Sequence, residues 1–195
     1  MFIKHRDHPL VQAVMKFVLG SKLRPLPPGI KYHFFLSHKQ ANAQGQVMAL
    51  YKTLQAEFPG MKVWHDMEQL PTDEEMQKGI RESACFLMYM SKGYMERPAC
   101  QKEVGWALAM GKRFVIVYAT DERHGGMSFG EHMAESKKAF PQCAVVFENA
   151  VAVKYQAEAE LVKAMIKQIM DRSGLLLNPK GDCESPPPIP QVGFQ

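Results

Sequence analysis

Short β-like apolar runs alternate with stretches of helical period through most of this chain, and no other feature constrains its fold so strongly. The first run, YHFFLS at Tyr32 to Ser37, is followed by an amphipathic stretch carrying Val47, Leu50, Tyr51, Leu54 and Phe58, which Pro59 and Gly60 end. A second strand is expected in KVWHD, Lys62 to Asp66, and the MEQLP segment then leads to Thr72, which with Glu75 three residues on has the form of a capping box. The helix it opens should turn Met76, Ile80 and Ala84 inward. ACFLMYMS, the third strand, is apolar on both faces, as a central parallel strand covered by helices on each side must be.

Pro98 suits the first turn of the next helix, where its missing N–H would be unpaired anyway, and Val104, Ala107, Leu108 and Gly111 trace the buried side and the stop. RFVIVYA is the fourth strand. A polar loop from Thr120 through Gly125 and Gly126 is expected next, then a fifth strand AVVFE at Ala144 to Glu148, and a closing helix with Leu161, Met165 and Ile169. Five strands alternating with helices predict an α/β fold, a parallel sheet with helices on both faces.

The ends differ in composition. Leu10, Val14, Phe17 and Val18 predict a short amphipathic helix between Pro9 and Leu19, and Pro25, Pro27, Pro28 and Gly29 then break the chain. The expected organisation is a helix and Pro-rich linker over residues 1–29, a folded domain over 30–175, and a disordered Pro-rich tail over 176–195. The P-x-x-P of Pro187 and Pro190 is a weak polyproline signal in what otherwise reads as a solvated tail.

With 46% hydrophobic and 23% charged residues, the 195-residue chain can bury one full core. Its net charge of +4 is spread thinly, Lys4/Arg6 and Lys137/Lys138 being the tight clusters, which argues against a nucleic-acid footprint. Cys85, Cys100, Cys143 and Cys183 form no C-x-x-C pair, so a reduced, cytoplasmic compartment is expected. No apolar run approaches the roughly 20 residues of a membrane span, and no small-residue cleavage site follows the N-terminal stretch.

In an open doubly wound sheet of order 2-1-3-4-5, ligands bind at the carboxyl ends of strands one and three, where the order reverses. Two segments therefore carry the candidate chemistry. Ser37, His38, Lys39 and Gln40 follow the first strand, while Ser91, Lys92, Tyr94, Arg97 and Cys100 lead into Glu103. Helical period puts Glu103 about 100° from Val104, on the flank of the apolar stripe, where it is either a surface acid near a helix start or a carboxylate facing the cleft. Other nucleotide sites are excluded: the segment SHKQANAQG has neither G-x-G-x-x-G nor G-x-x-x-x-G-K-[ST]. His124 and His132 lack H-E-x-x-H spacing, so no metal site is expected. Most of the 14 methionines should fill core gaps, with Met67 and Met95 candidates for the cleft lining.

FFLSHKQ, VWHDMEQLP, CFLMYMSKGY and CQKEVGWALAMGKRFVIVY resemble, in order and spacing, the conserved blocks of TIR (Toll/interleukin-1 receptor) domains, over roughly Tyr32 to Arg172. The resemblance implies a flavodoxin-like, three-layer fold. It also implies that HDMEQLP follows the second strand, guards the cleft and mediates self-association through Met67, Glu68, Gln69, Leu70 and Pro71. TIR domains divide into adaptors, which signal by oligomerising, and enzymes that cleave NAD+ at the nicotinamide–ribose bond. WHDMEQLPTDEEMQKGI resembles the enzymatic class, whose catalytic glutamate falls at Glu103. The implied NAD+ contacts are Ser37, His38, Lys39, Trp64, Asp66, Leu70, Ser91, Tyr94, Arg97 and Cys100, with Trp64 or Tyr94 as a flat surface for a ring and Lys39 and Arg97 near the phosphates. NAD+ is then substrate, and no further cofactor is implied. One departure is visible: many enzymatic members carry Trp shortly before the glutamate, where Ala99 or its neighbours stand here.

Overall fold

The computed structural model describes residues 22–65, 71–148 and 152–177. Five parallel strands, β1 (Tyr32–His38), β2 (Val63–Trp64), β3 (Ser83–Met90), β4 (Arg113–Tyr118) and β5 (Val153–Lys154), form one sheet in the order β2-β1-β3-β4-β5. Helices α1 (Gln40–Glu57), α2 (Asp73–Arg81), α3 (Pro98–Ala109), α4 (Phe129–Ala139), α5 (Ala144–Phe147) and α6 (Ala159–Ser173) lie around it. This is the α/β arrangement expected from the alternation, in the flavodoxin-like form that the resemblance implies.

The two-residue period of β3 divides the interior into two cores. Cys85, Leu87 and Tyr89 pack with Val47, Leu50 and Leu54 of α1 and with Met165, Ile166 and Ile169 of α6. Phe86, Met88 and Met90 face the other way, toward Ile80 of α2, Val104 and Ala107 of α3, and Phe147 of α5. Because both faces of β3 are covered, the strand carries apolar residues without alternation, and it pairs with β1 and β4 along most of its length.

Helix starts follow local chemistry. The Thr72 side chain accepts from the Glu75 backbone N–H while the Glu75 carboxylate accepts from that of Thr72, so the capping box forms as expected. Pro98 occupies the first turn of α3.

The structure corrects several local expectations. Ala144 to Phe147 is helix, not strand: Pro141 opens a 3₁₀ turn over Pro141–Cys143 that runs straight into it, and Cys143 and Phe147, four residues apart, enter the same core. The fifth strand lies downstream, where Val153 and Lys154 pair with Val117 and Tyr118. The loop expected after β4 gives way to α4, opened by a second capping box between Ser128 and Glu131. The second strand is shorter than Lys62 to Asp66, and Ala84 belongs to β3, since α2 ends at Arg81. Leu161 is 42% exposed; the buried side of α6 starts with Met165. The expected helix at Pro9 to Leu19 lies outside the described residues, as does the expected tail of 176–195 apart from Leu176 and Leu177, which pair with Leu23 and Lys22 of the expected linker.

Candidate functional site

β1 and β3 are adjacent at the reversal of strand order, where open α/β sheets hold their ligand crevice, and the segments leaving the two carboxyl ends stand side by side there. Ser37 lies two residues beyond Phe35 and so shares its face of the sheet, the face that α3 covers. Cys100, Glu103, Val104 and Ala107 form the buried side of that helix. Glu103 is thereby carried back to the end of β1, at 6% exposure.

The Ser37 hydroxyl donates to the Glu103 carboxylate, and the Tyr94 hydroxyl lies 2.5 Å from Ser37 Oγ. Serine has one hydroxyl proton, already engaged by Glu103, so Tyr94 is the donor to Ser37. Burial pushes the Tyr94 phenol well above its ordinary range, which keeps that proton in place. Cys100 sits one turn before Glu103, its thiol directed to the His38 carbonyl at 3.7 Å, and His38 itself is buried at the end of β1.

Around this buried group the loops are tied together at Lys92. Its carbonyl accepts from Lys39 Nζ at 3.0 Å and Asn42 Nδ2 at 3.1 Å, and its N–H donates to the Gly125 carbonyl at 2.7 Å. Ser91 donates to Asn42 Oδ1 at 2.7 Å, and the Gly93 N–H donates to the Glu135 carboxylate at 2.6 Å. Gly125 has φ +71°, and a Cβ there would lie 2.5 Å from Asn42 Nδ2, so this approach requires glycine.

Of the residues singled out in the sequence, the structure brings together Ser37, His38, Tyr94, Cys100 and Glu103 in the buried group, with Lys39 and Ser91 in the surrounding loops. Arg97 is exposed at the start of α3, as is Ala99. Trp64 stands apart: it stacks on Phe35 at 4.4 Å and 11°, and Gly79 of α2 abuts its indole, so it serves the core between β2 and α2. The Tyr94 ring, 1% exposed, is also core, and its hydroxyl is the part that reaches the site. Asp66, Met67, Glu68, Gln69 and Leu70 lie outside the described residues, while Pro71 is half-buried at their edge. Sequence reasoning missed Asn42, Gly125 and Glu135. The Gly125/Gly126 pair, read only as part of a polar loop, could have marked a tight turn, and the S-x-x-E at Ser128, not used, could have marked the helix that carries Glu135.

Among the described residues no group of three or more His, Cys, Asp or Glu side chains is placed to hold a metal ion, and no helix is long and apolar enough to cross a membrane. The family model of the TIR domain matches residues 34–140, more than half of the chain, and spans Ser37, Tyr94 and Glu103. The chain belongs to the TIR-domain family. Among solved structures, this TIR domain is similar to a metazoan TIR-STING receptor from C. gigas in complex with 2',3'-cGAMP, with TM-score 0.55 and 13% identity over 76% of this chain and 42% of that one. The chain thus spans less than half the length of that receptor. It is also similar to the TIR domains of the activated Roq1 resistosome, a structure directly recognizing the pathogen effector XopQ, with TM-score 0.50 and 18% identity over 72% of this chain and 98% of that one. At these identities the likeness is one of fold. No curated protein matches the chain.

Proposed function

We propose that this TIR domain is an NAD+ nucleosidase, cleaving the nicotinamide–ribose bond to give nicotinamide and linear or cyclic ADP-ribose. The observation that carries the reading is Glu103, a carboxylate buried at the carboxyl edge of the sheet beside Ser37. The nicotinamide of NAD+ is a cationic leaving group that departs neutral and needs no proton, so the general acid of a paired-carboxylate glycosidase has no counterpart to supply. One carboxylate then suffices. Its work is to bind ribose hydroxyls and to stabilise the positive charge that develops on an oxocarbenium-like transition state. Lys39 and Arg97, at the starts of α1 and α3, are the cations proposed to meet the phosphates.

Activity is expected to depend on self-association through the Met67, Glu68, Gln69, Leu70 and Pro71 segment, in a cytoplasmic signalling or immune response. The competing reading is a non-catalytic adaptor; the departure that bears on it is the absence of the Trp that many enzymatic members carry where Ala99 or its neighbours stand, a loss that either weakens activity or reshapes the pocket. The two separate cleanly in one measurement. Purified, concentrated protein should release nicotinamide from NAD+, and Glu103→Ala should lower that rate by about two orders of magnitude or more. No release from assembled wild-type protein sinks the enzymatic reading and leaves the adaptor, and equal release from the variant removes Glu103 as its catalytic group.

A further inference from the structure

We infer that Tyr94 and Ser37 are positioning residues for Glu103, a two-hydroxyl relay that fixes the orientation of its carboxylate at the carboxyl edge of the sheet and favours its charged form. The relay has a direction set by proton count, Tyr94 to Ser37 to Glu103, and both hydroxyl-bearing residues are 1% exposed. Neither presents a surface for a ligand. Tyr94 enters from the loop after β3 and Ser37 from the end of β1, so the relay joins the two walls of the crevice through the carboxylate carried by α3.

A hydroxyl donating to a carboxylate favours its charged form, and a donor that is itself hydrogen-bonded is held in one rotamer and strengthened. Losing the Ser37 proton removes one bond that favours the charged form of Glu103, the form that can stabilise a cationic transition state. Without the Tyr94 hydroxyl, Ser37 keeps its proton but loses the contact that orients it. The inference deepens the NAD+-cleavage reading and rests on it for its catalytic consequence, though not for the relay itself.

The test follows the Glu103 carboxyl directly, by carbon NMR of protein labelled at the glutamate side-chain carboxyl, with Glu103→Gln identifying its signal. Ser37→Ala should raise the Glu103 titration midpoint by about one unit, and Tyr94→Phe should raise it by less. Tyr94→Phe removes a single oxygen from a ring that stays packed, so it reports even if Ser37→Ala fails to fold. In parallel, the acid limb of the pH profile of nicotinamide release should move upward with each midpoint, with kcat falling more than KM changes. Midpoints that stay put in the variants overturn the relay, whatever the activity. Midpoints that move while assembled wild-type protein releases no nicotinamide uphold the relay and overturn NAD+ cleavage.

Discussion

Glu103 is buried beside Val104, which is fully buried, and a carboxylate at that depth persists only where donors meet it. Helical period placed it on the flank of the apolar stripe, but period alone left open whether it faced solvent or cleft. Its donor comes from β1, 66 residues away in sequence, and no local pattern reports such a contact. Trp64 shows the opposite outcome. An aromatic in a short strand reads equally as a ligand platform or as core, and the stacking on Phe35 shows that one face of this half-buried ring is taken up by the core. A Cβ on Gly79 would fall 2.6 Å from the Trp64 indole. Gly79→Ala should therefore cost about 1–3 kcal/mol of overpacking against about 1 kcal/mol of improved helix propensity, a net loss. Urea unfolding measures it; a variant more stable than wild type would refute the packing described.

At the scale of elements, the long periodic segments were legible because local and tertiary demands agree in them. The Thr72 capping box, Pro98 at the start of α3 and the two-faced apolarity of β3 each point one way. Ala144 to Phe147 failed because four apolar residues fit either period, and what settles it is the Pro141 turn feeding into it. The true β5 has two residues, too few to show an alternation. α4 was missed although Ser128 and Glu131 form the same motif as Thr72 and Glu75; its low apolar content hid it. Ser128 nevertheless anchors a working element, since α4 supplies Glu135 to the Gly93 N–H. Ser128→Ala should lower stability by about 1 kcal/mol in denaturant titrations, and an unchanged midpoint would show that the cap contributes nothing.

For the molecule as a whole, two histidines link stability to pH. Burial lowers the pKa of His33 and of His132 below the ordinary 6.5. His33 Nδ1 accepts from the Lys62 N–H at 3.0 Å, a bond only the unprotonated nitrogen can make, whereas His132 Nε2 donates to the Ala119 carbonyl at 2.9 Å, a bond that opposes the lowering by burial without outweighing it. As pH falls below 6.5 the unfolded chain takes up these protons before the folded one does. Their contribution is thus fully present above the unfolded value and is lost as pH drops toward the folded ones. Unfolding midpoints in urea should be lower at pH about 5.5 than at about 7.5. Equal midpoints would mean that neither ring is held neutral.

The ties around Lys92 also bear on how fast anything can bind. The loops after β1, β3 and β4 meet at its carbonyl and amide, so these walls of the crevice are joined before a ligand arrives. The entropy of ordering them belongs to folding and does not burden association. Capture of a small molecule at this edge should then follow a single phase whose rate rises in proportion to concentration, governed by encounter and not by rearrangement of these three loops.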